Sequence, residues 1–357
     1  MPRGRSLLLA LAGGCLFAGV AGGLLRLGVP VGIGVARALA HGALMIGSLG
    51  CVIGLERAVA FGGAPALAVP LAAALGTLAL LAGWPAGAGV LLLVASGLLV
   101  ALSTAIVRRQ AAPHTVLLTL AAGGWVVGNA LFVAAAPAMV VVAWWFAFLV
   151  LTVAAERLEL TRLMPRRRGA GVLFAVAAAL LLAGAILTIA SERDGSVVYG
   201  GGLVAMSLWL ATFDLARRTL RTEGFARYSA CALIAGYAWL AIGGLAWIAL
   251  PWVAAARDTA LHAVALGFVV SMIFAHAPLM VPVILRMRMR YTPAVYLPLG
   301  LLHASLALRL GAGAFDAHLR QWGGVLNAAA MILFALTVAY GARQKGPAGN
   351  PATNSTR

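Results

Sequence analysis

Residues 259–285 read TALHAVALGFVVSMIFAHAPLMVPVIL, a run whose only ionisable side chains are two histidines. At 1.5 Å per helical residue, this run is long enough to cross the roughly 30 Å hydrocarbon core of a bilayer. A backbone in lipid must satisfy its own hydrogen bonds, so the run predicts a transmembrane helix. Pro278 and Pro282 predict a kink near the end of this helix.

Eleven further apolar runs accompany this one in a chain that is 63% hydrophobic and only 10% charged. The sequence therefore predicts an all-α polytopic membrane protein with about twelve transmembrane helices, packed as one bundle over residues 1–345. Residues 346–357 are poor in apolar side chains and predict a disordered tail. The predicted helices 1–12 lie near 6–25, 35–60, 65–84, 87–107, 114–134, 138–158, 169–190, 197–215, 226–250, 259–285, 292–310 and 321–341.

The net charge of +17 is distributed unevenly across the predicted bilayer. Twenty of the 26 Lys and Arg residues fall on the side that carries both termini. By the positive-inside rule, that side is cytoplasmic, so the charge reflects topology in an inner (plasma) membrane. We therefore exclude a nucleic-acid partner and expect the lipid bilayer as the surroundings. The six cations assigned to the outer side are Arg26, Arg37, Arg193, Arg257, Arg309 and Arg320.

Three intramembrane histidines are predicted to share the outer third of the membrane. Counting residues from the helix ends places His41 and His303 about 10 Å deep and His262 about 5 Å deep, with Asp258 as a helix N-cap. A buried imidazole is costly without a partner, so each is a candidate ligand. His41 and His262 at matched depth on parallel helices suit the two axial ligands of a haem iron.

A second pair of ionisable residues is predicted nearer the inner side. Glu56 follows His41 by fifteen residues, and His276 follows His262 by fourteen, so each lies within about 60° of its outer partner's face. If helices 2 and 10 are neighbours, Glu56 faces His276 and the two form a proton relay. Arg57 is predicted to cap the inner boundary instead of neutralising Glu56.

Helices 2 and 6 end in similar sequences, GLERA at 54–58 and AAERL at 154–158. They stand four helices apart, and helix 10 follows after four more. This spacing is consistent with a three-fold pseudo-repeat of four-helix units, although a Glu-Arg pair is also simply suited to a membrane boundary.

Two segments resemble a known family. HAVALG at 262–267, followed by MI at 272–273 and by His276, looks like a segment of the NnrS family of haem- and copper-containing membrane proteins. HGALMIG at 41–47 is similar to that family's second helix. The helix number and histidine positions also resemble subunit I of the haem-copper oxidases.

The resemblance implies a haem-binding membrane protein of the nitric oxide response type, with His41 and His262 as axial ligands. A second metal such as copper would fall to His303 and His276. No C-x-x-C-H motif is present, so the haem is expected to be a non-covalent haem b. Helices 6 and 7 contain no histidine, so a complete terminal oxidase is not expected and enzymatic activity is left open.

Saturation of the iron by two histidines favours electron transfer with a redox partner. The alternative from the residues is a proton-coupled secondary transporter, for which twelve helices, Glu56, His276 and a proline-broken helix 10 are equally suitable. The third hypothesis is that the protein is a structural or assembly partner of another membrane complex.

Overall fold

The protein is described by a computed structural model that covers residues 2–32, 38–161, 168–287 and 289–343. Within these ranges it contains no strand and twelve helices long and apolar enough to cross a membrane, one for each predicted span. The protein is therefore an all-α multi-pass membrane protein. The helices are α1 (Gly4–Arg26), α2 (His41–Phe61), α3 (Ala64–Leu81), α4 (Pro85–Arg109), α5 (Pro113–Val133), α6 (Ala138–Leu160), α7 (Ala170–Ala190), α8 (Glu192–Phe213), α9 (Gly224–Ala249), α10 (Ala256–Leu285), α11 (Pro293–Ala314) and α12 (Ala317–Ala342).

Some sequence predictions fall outside the described residues. These are the tail at 346–357 and seven of the counted cations, namely Arg37, Arg162, Arg166, Arg167, Arg288, Lys345 and Arg357.

Helices α2, α6 and α10 all contribute to the wall of one cavity. α6 is the most enclosed of the twelve, with 83% of its apolar stretch buried, and it packs directly against α10. α1 contacts both α10 and α12, so the C-terminal helices pack against the N-terminal helix. We call the end of the bundle that carries His41 and His262 the histidine end, and the end that carries Arg57 and Arg157 the charged end.

Two helices differ in detail from the sequence predictions. The described helix α2 begins at His41, after a turn at residue 40, so His41 occupies its first turn, while the predicted start at residue 35 lies outside the described residues. In α10, both Pro278 and Pro282 lie inside one α-helical segment, Ser271–Leu285. The departure from α geometry in α10 lies upstream of the prolines, where Ala263–Val270 is π-helical. Such π segments are rare and occur frequently at functional sites.

Close packing between α2, α5 and α6 depends on a glycine. The indole of Trp125 is fully buried and stacks on Phe148, with ring centroids 5.1 Å apart. Gly50 faces this indole, and a Cβ atom at that position would lie only 2.2 Å from the ring. The absence of a side chain at Gly50 therefore sets how closely α2 approaches α5.

Gly50→Ala is expected to lower the free energy of unfolding by about 1–3 kcal/mol, because the stacked indole has no room to move. Gly97→Ala in α4 is the matched control, since a Cβ there would meet nothing within 4 Å. The control should be neutral or slightly stabilising, because alanine favours helix. Denaturant unfolding of both variants in the same detergent checks this, and equal destabilisation would contradict the packing role of Gly50.

Candidate functional site: a cavity at the histidine end and a charged layer

A cavity of about 1060 Å³ lies at the histidine end, between α1, α2, α6, α10 and α12. It is at the upper end of the size range of ligand pockets. Most of its wall is apolar, including Leu16, Val20, Met45, Ile46, Leu49, Val142, Phe146, Leu266 and Met331. Its polar lining contains both His41 and His262, together with Asp258 and Asn327. His41 and His262, which were predicted to act together, therefore line the same cavity.

The His41 ring is oriented by α1. Its Nδ1 lies 2.6 Å from the backbone oxygen of Gly19. Because a carbonyl oxygen only accepts, Nδ1 carries the proton and Nε2 keeps its lone pair. The ring fits against Gly23, where a Cβ would lie 2.9 Å from the His41 Cε1 atom. A histidine held by a backbone carbonyl in this way is typical of a metal ligand.

His262 belongs to a three-residue cluster with Asp258 and Arg309. The His262 Nδ1 lies 2.7 Å from Asp258 Oδ1 and donates to it. Arg309 binds the same carboxylate through Nη2 at 2.8 Å and Nε at 3.2 Å. Its Nη2 also lies 3.2 Å from both ring nitrogens of His262. Since a guanidinium only donates, Arg309 competes for the lone pair of His262 Nε2.

Cations gather around this cavity in a way that sequence reasoning missed. Four of the six arginines assigned to the outer side line it, and these are Arg26, Arg257, Arg309 and Arg320. Asp258 was predicted only as an N-cap, but its carboxylate instead orients His262 and binds Arg309. The sequence did contain a signal for this cluster: the four arginines fall on the side of the membrane that carries few cations. Arginine on the sparsely charged side of a membrane protein has no topological reason to be there.

In the described structure, His303 does not line the cavity that His41 and His262 share. Its Nδ1 accepts a hydrogen bond of 3.0 Å from the indole N–H of Trp239. The proton is therefore on Nε2, which is buried without a hydrogen-bond partner among the described residues. Trp239 in turn packs on Gly267, where a Cβ would lie 2.4 Å from the indole. His303 is thus a helix-packing residue between α9 and α11.

A layer of ionisable side chains lies toward the other end, and we call it the charged layer. It comprises Glu56, Arg57, Glu156, Arg157, Asp214 and His276. Arg57 on α2 donates to Glu156 on α6 over 2.6 Å. Arg157 on α6 lies 2.8 Å from His276 Nε2 on α10. Each arginine of the repeated Glu-Arg pair therefore contacts the next helix of the α2, α6, α10 series; the three-fold pseudo-repeat itself stays a prediction.

The predicted pairing of Glu56 with His276 is wrong. The His276 Nδ1 donates to the backbone oxygen of Met272 at 2.6 Å, so Nε2 must accept the bond from Arg157. Both ring nitrogens are used, which leaves no lone pair for a metal. Among the described residues, no group of three or more His, Cys, Asp or Glu side chains is placed to hold a metal ion. The structure thus gives no second metal site at His303 and His276.

Sequence reasoning also missed Asp214 and Tyr237. The Asp214 side chain, at the end of α8, is only 2% exposed. Its Oδ2 accepts the Tyr237 hydroxyl at 2.7 Å, whereas its Oδ1 has no partner in the described part of the chain. The Asp214 carboxylate lies in the same layer as His276. The available signal was an aspartate directly after an apolar helix.

Comparison with known proteins identifies a family without a known activity. A family model described as "Domain of unknown function (DUF8744)" matches residues 5–343. The chain belongs to this family. The match extends over all twelve helices of the DUF8744 protein. No curated protein and no solved structure matches it.

Proposed function

We propose that the protein binds a non-covalent haem b in the cavity at the histidine end, with His41 and His262 as the axial ligands. The observation that carries the proposal is the pair of imidazoles in one apolar cavity lined by four arginines. The apolar wall suits a porphyrin, the imidazoles suit its iron, and the arginines suit its two carboxylates. The resemblance of residues 262–276 and 41–47 to the NnrS family points to the same cofactor.

His41 and His262 are not equally suited to bind the haem iron. His41 offers an unobstructed Nε2, since Gly19 takes only Nδ1. His262 is correctly oriented by Asp258, but its Nε2 becomes free only when Arg309 turns from the ring toward an anionic group of the ligand. We therefore assign His41 as the primary ligand and Arg309 as the counter-ion of a haem carboxylate. Haem would supply one-electron chemistry at this end of the bundle.

The proposed setting is the inner (plasma) membrane, with both termini cytoplasmic and the cavity near the outer face. The sparse distribution of arginines on the His41 side supports this orientation. Two axial histidines favour electron transfer with a redox partner. For a role in the nitric oxide response, His41 alone would hold the haem while His262 stays bound to Asp258 and Arg309.

Reduced-minus-oxidised visible spectra of the purified protein test the proposal. Protein from haem-supplemented cells should show Soret and α bands, at about one haem per chain. Asp258→Asn should weaken haem binding roughly 10–100-fold, because His262 loses its orienting carboxylate. Asp316→Asn is the control, since Asp316 is exposed and its side chain accepts only from backbone N–H groups in the first turn of α12, a capping role that asparagine also fills. The absence of both bands in the supplemented wild-type protein would rule out the proposal.

A proton-coupled secondary transporter is the second candidate. The observation in its favour is that the cavity lies at one end, while the Arg57–Glu156 ion pair and the Arg157–His276 hydrogen bond link α2, α6 and α10 at the other. One state of an alternating-access cycle has this arrangement. Pyranine-loaded proteoliposomes should then show proton entry that Glu56→Gln abolishes. Wild-type vesicles without such entry would count against the transporter.

A further inference from the structure

The cavity at the histidine end carries a surplus of positive charge. Four arginines line it against one carboxylate, that of Asp258. Asp258 is bound by Arg309, whose side chain is only 7% exposed. Arg26, Arg257 and Arg320 are exposed, and their side chains have no hydrogen-bond or ion-pair partner among the described residues. We call the part of the wall that carries these three arginines the cavity mouth, and its cations are available to an anion.

The chain has no further acidic residue that could balance this charge from outside the described ranges. All nine Asp and Glu residues lie within those ranges, and only Asp258 lines the cavity. Asp316, at the start of α12, instead accepts from the backbone N–H groups of His318 and Leu319. The surplus of positive charge at the cavity mouth therefore favours an anion that comes from outside the chain.

The three arginines of the cavity mouth stand at helix ends. The Gln321 amide donates to the backbone oxygen of Leu27 over 2.9 Å, which joins the end of α1 to the start of α12. Arg26 and Arg320 are the chain neighbours of these two residues, so they belong to one corner of the bundle. Arg257 lies in the first turn of α10. The ends of membrane-spanning helices lie at the level of the lipid headgroups, so the cavity mouth meets the phosphate groups of the leaflet.

The apolar wall of the cavity extends to helices at the outside of the bundle. Val90 of α4 and Val133 of α5 both line the cavity, and they are 55% and 49% exposed. The two helices are adjacent at this point, since a Cβ atom on Gly89 would lie 2.9 Å from Val133 Cγ2. The wall at these two valines is therefore open and not sealed by another helix. Acyl chains of neighbouring lipids can reach it from the side.

We propose that the cavity binds an anionic phospholipid of the surrounding leaflet, with its phosphate among the three arginines of the cavity mouth and its acyl chains on the apolar wall. Guanidinium groups form strong charge-assisted hydrogen bonds to phosphate. A membrane lipid supplies the anion and the hydrocarbon chains in one molecule, at the level where the cavity opens. Arg309 stays with Asp258 and His262. The proposal rests on the cavity and not on haem, for which the lipid would compete.

Native mass spectrometry of the delipidated, haem-free protein tests the lipid site. Phosphatidylglycerol should bind roughly tenfold or more tightly than phosphatidylcholine with the same acyl chains, because only the first is a net anion. Changing Arg26, Arg257 or Arg320 singly to Gln should weaken phosphatidylglycerol binding roughly fivefold. The triple Gln variant should show no preference between the two lipids. Arg193→Gln is the matched control, since Arg193 is also exposed but does not line the cavity.

Three further measurements make the test decisive. A triple variant with Lys at the same positions keeps the charge and should retain the preference, and thermal melting identifies variants that fail to fold. Glycerol 3-phosphate carries the anion without the chains and should not displace the lipid. Equal binding of both lipids by the wild type, a preference that persists in the folded triple Gln variant, or displacement by glycerol 3-phosphate would each overturn the proposal. Because no haem is present, the result does not depend on haem binding.

Discussion

His41→Ala is expected to reduce haem bound to the purified protein at least tenfold, which is the largest effect that we predict on the proposed cofactor. The reason is geometric. His41 is the one imidazole in the cavity whose Nε2 lone pair is unobstructed, since only its Nδ1 is engaged, by Gly19. Outer partners of metal-bound histidines already change affinity 10–100-fold, so loss of the ligand itself should exceed that range. The measurement is the ratio of Soret absorbance to protein.

Two controls separate loss of a ligand from loss of fold. His318→Ala, at an exposed position in the first turn of α12, should bind haem normally. Imidazole added to His41→Ala should restore the Soret band in part, because the side chain lines a cavity that a free imidazole can enter. Full haem binding by His41→Ala would contradict the assignment of this residue as primary ligand.

Arg57→Gln is expected to lower the free energy of unfolding by about 3–5 kcal/mol, because it leaves Glu156 largely buried without its cation. The two side chains are joined over 2.6 Å between α2 and α6. Truncating one partner of a buried pair costs more than removing both, since the remaining charge cannot be solvated. Unfolding in detergent, followed by circular dichroism, measures the loss.

The matched variants form a double-mutant cycle. Glu156→Gln alone should be strongly destabilising, whereas Arg57→Gln combined with Glu156→Gln should recover much of the loss. The exchanged pair, Arg57→Glu with Glu156→Arg, should lie closer to the wild type than either single variant. Additive effects in the cycle would show that the ion pair does not link α2 to α6.

The twelve helices could be predicted from the sequence because lipid imposes one rule on every residue of a span. The run at 259–285 has to satisfy its backbone internally, so length and hydropathy were enough. The ends of the helices were predicted less accurately than their number. The first turn of α2 starts at His41, since apolar composition does not mark where a helix begins. His41 and His262 do line one cavity, whereas the depth of His41 in the membrane stays a prediction.

The repeated Glu-Arg pair, at 56–57 and 156–157, shows what the sequence could predict about these helices and what it could not. It indicated that α2 and α6 are equivalent, and the structure joins them with α10 through Arg57 and Arg157. The partners were not predictable, because side-chain pairing across helices depends on their packing and rotation. For this reason Glu56 was assigned to His276, which instead bonds Arg157.

The sequence by itself determined that this chain is a helical membrane protein and which few polar residues its interior must accommodate. Both follow from the free energy of moving backbone and side chains from water into hydrocarbon, which depends on residue type and not on neighbours. Only the tertiary structure decided which of those residues meet. It brought Arg309 and Asp258 to His262, His303 to Trp239 and Arg57 to Glu156, because hydrogen bonds and ion pairs form only between groups that the fold places within about 3 Å.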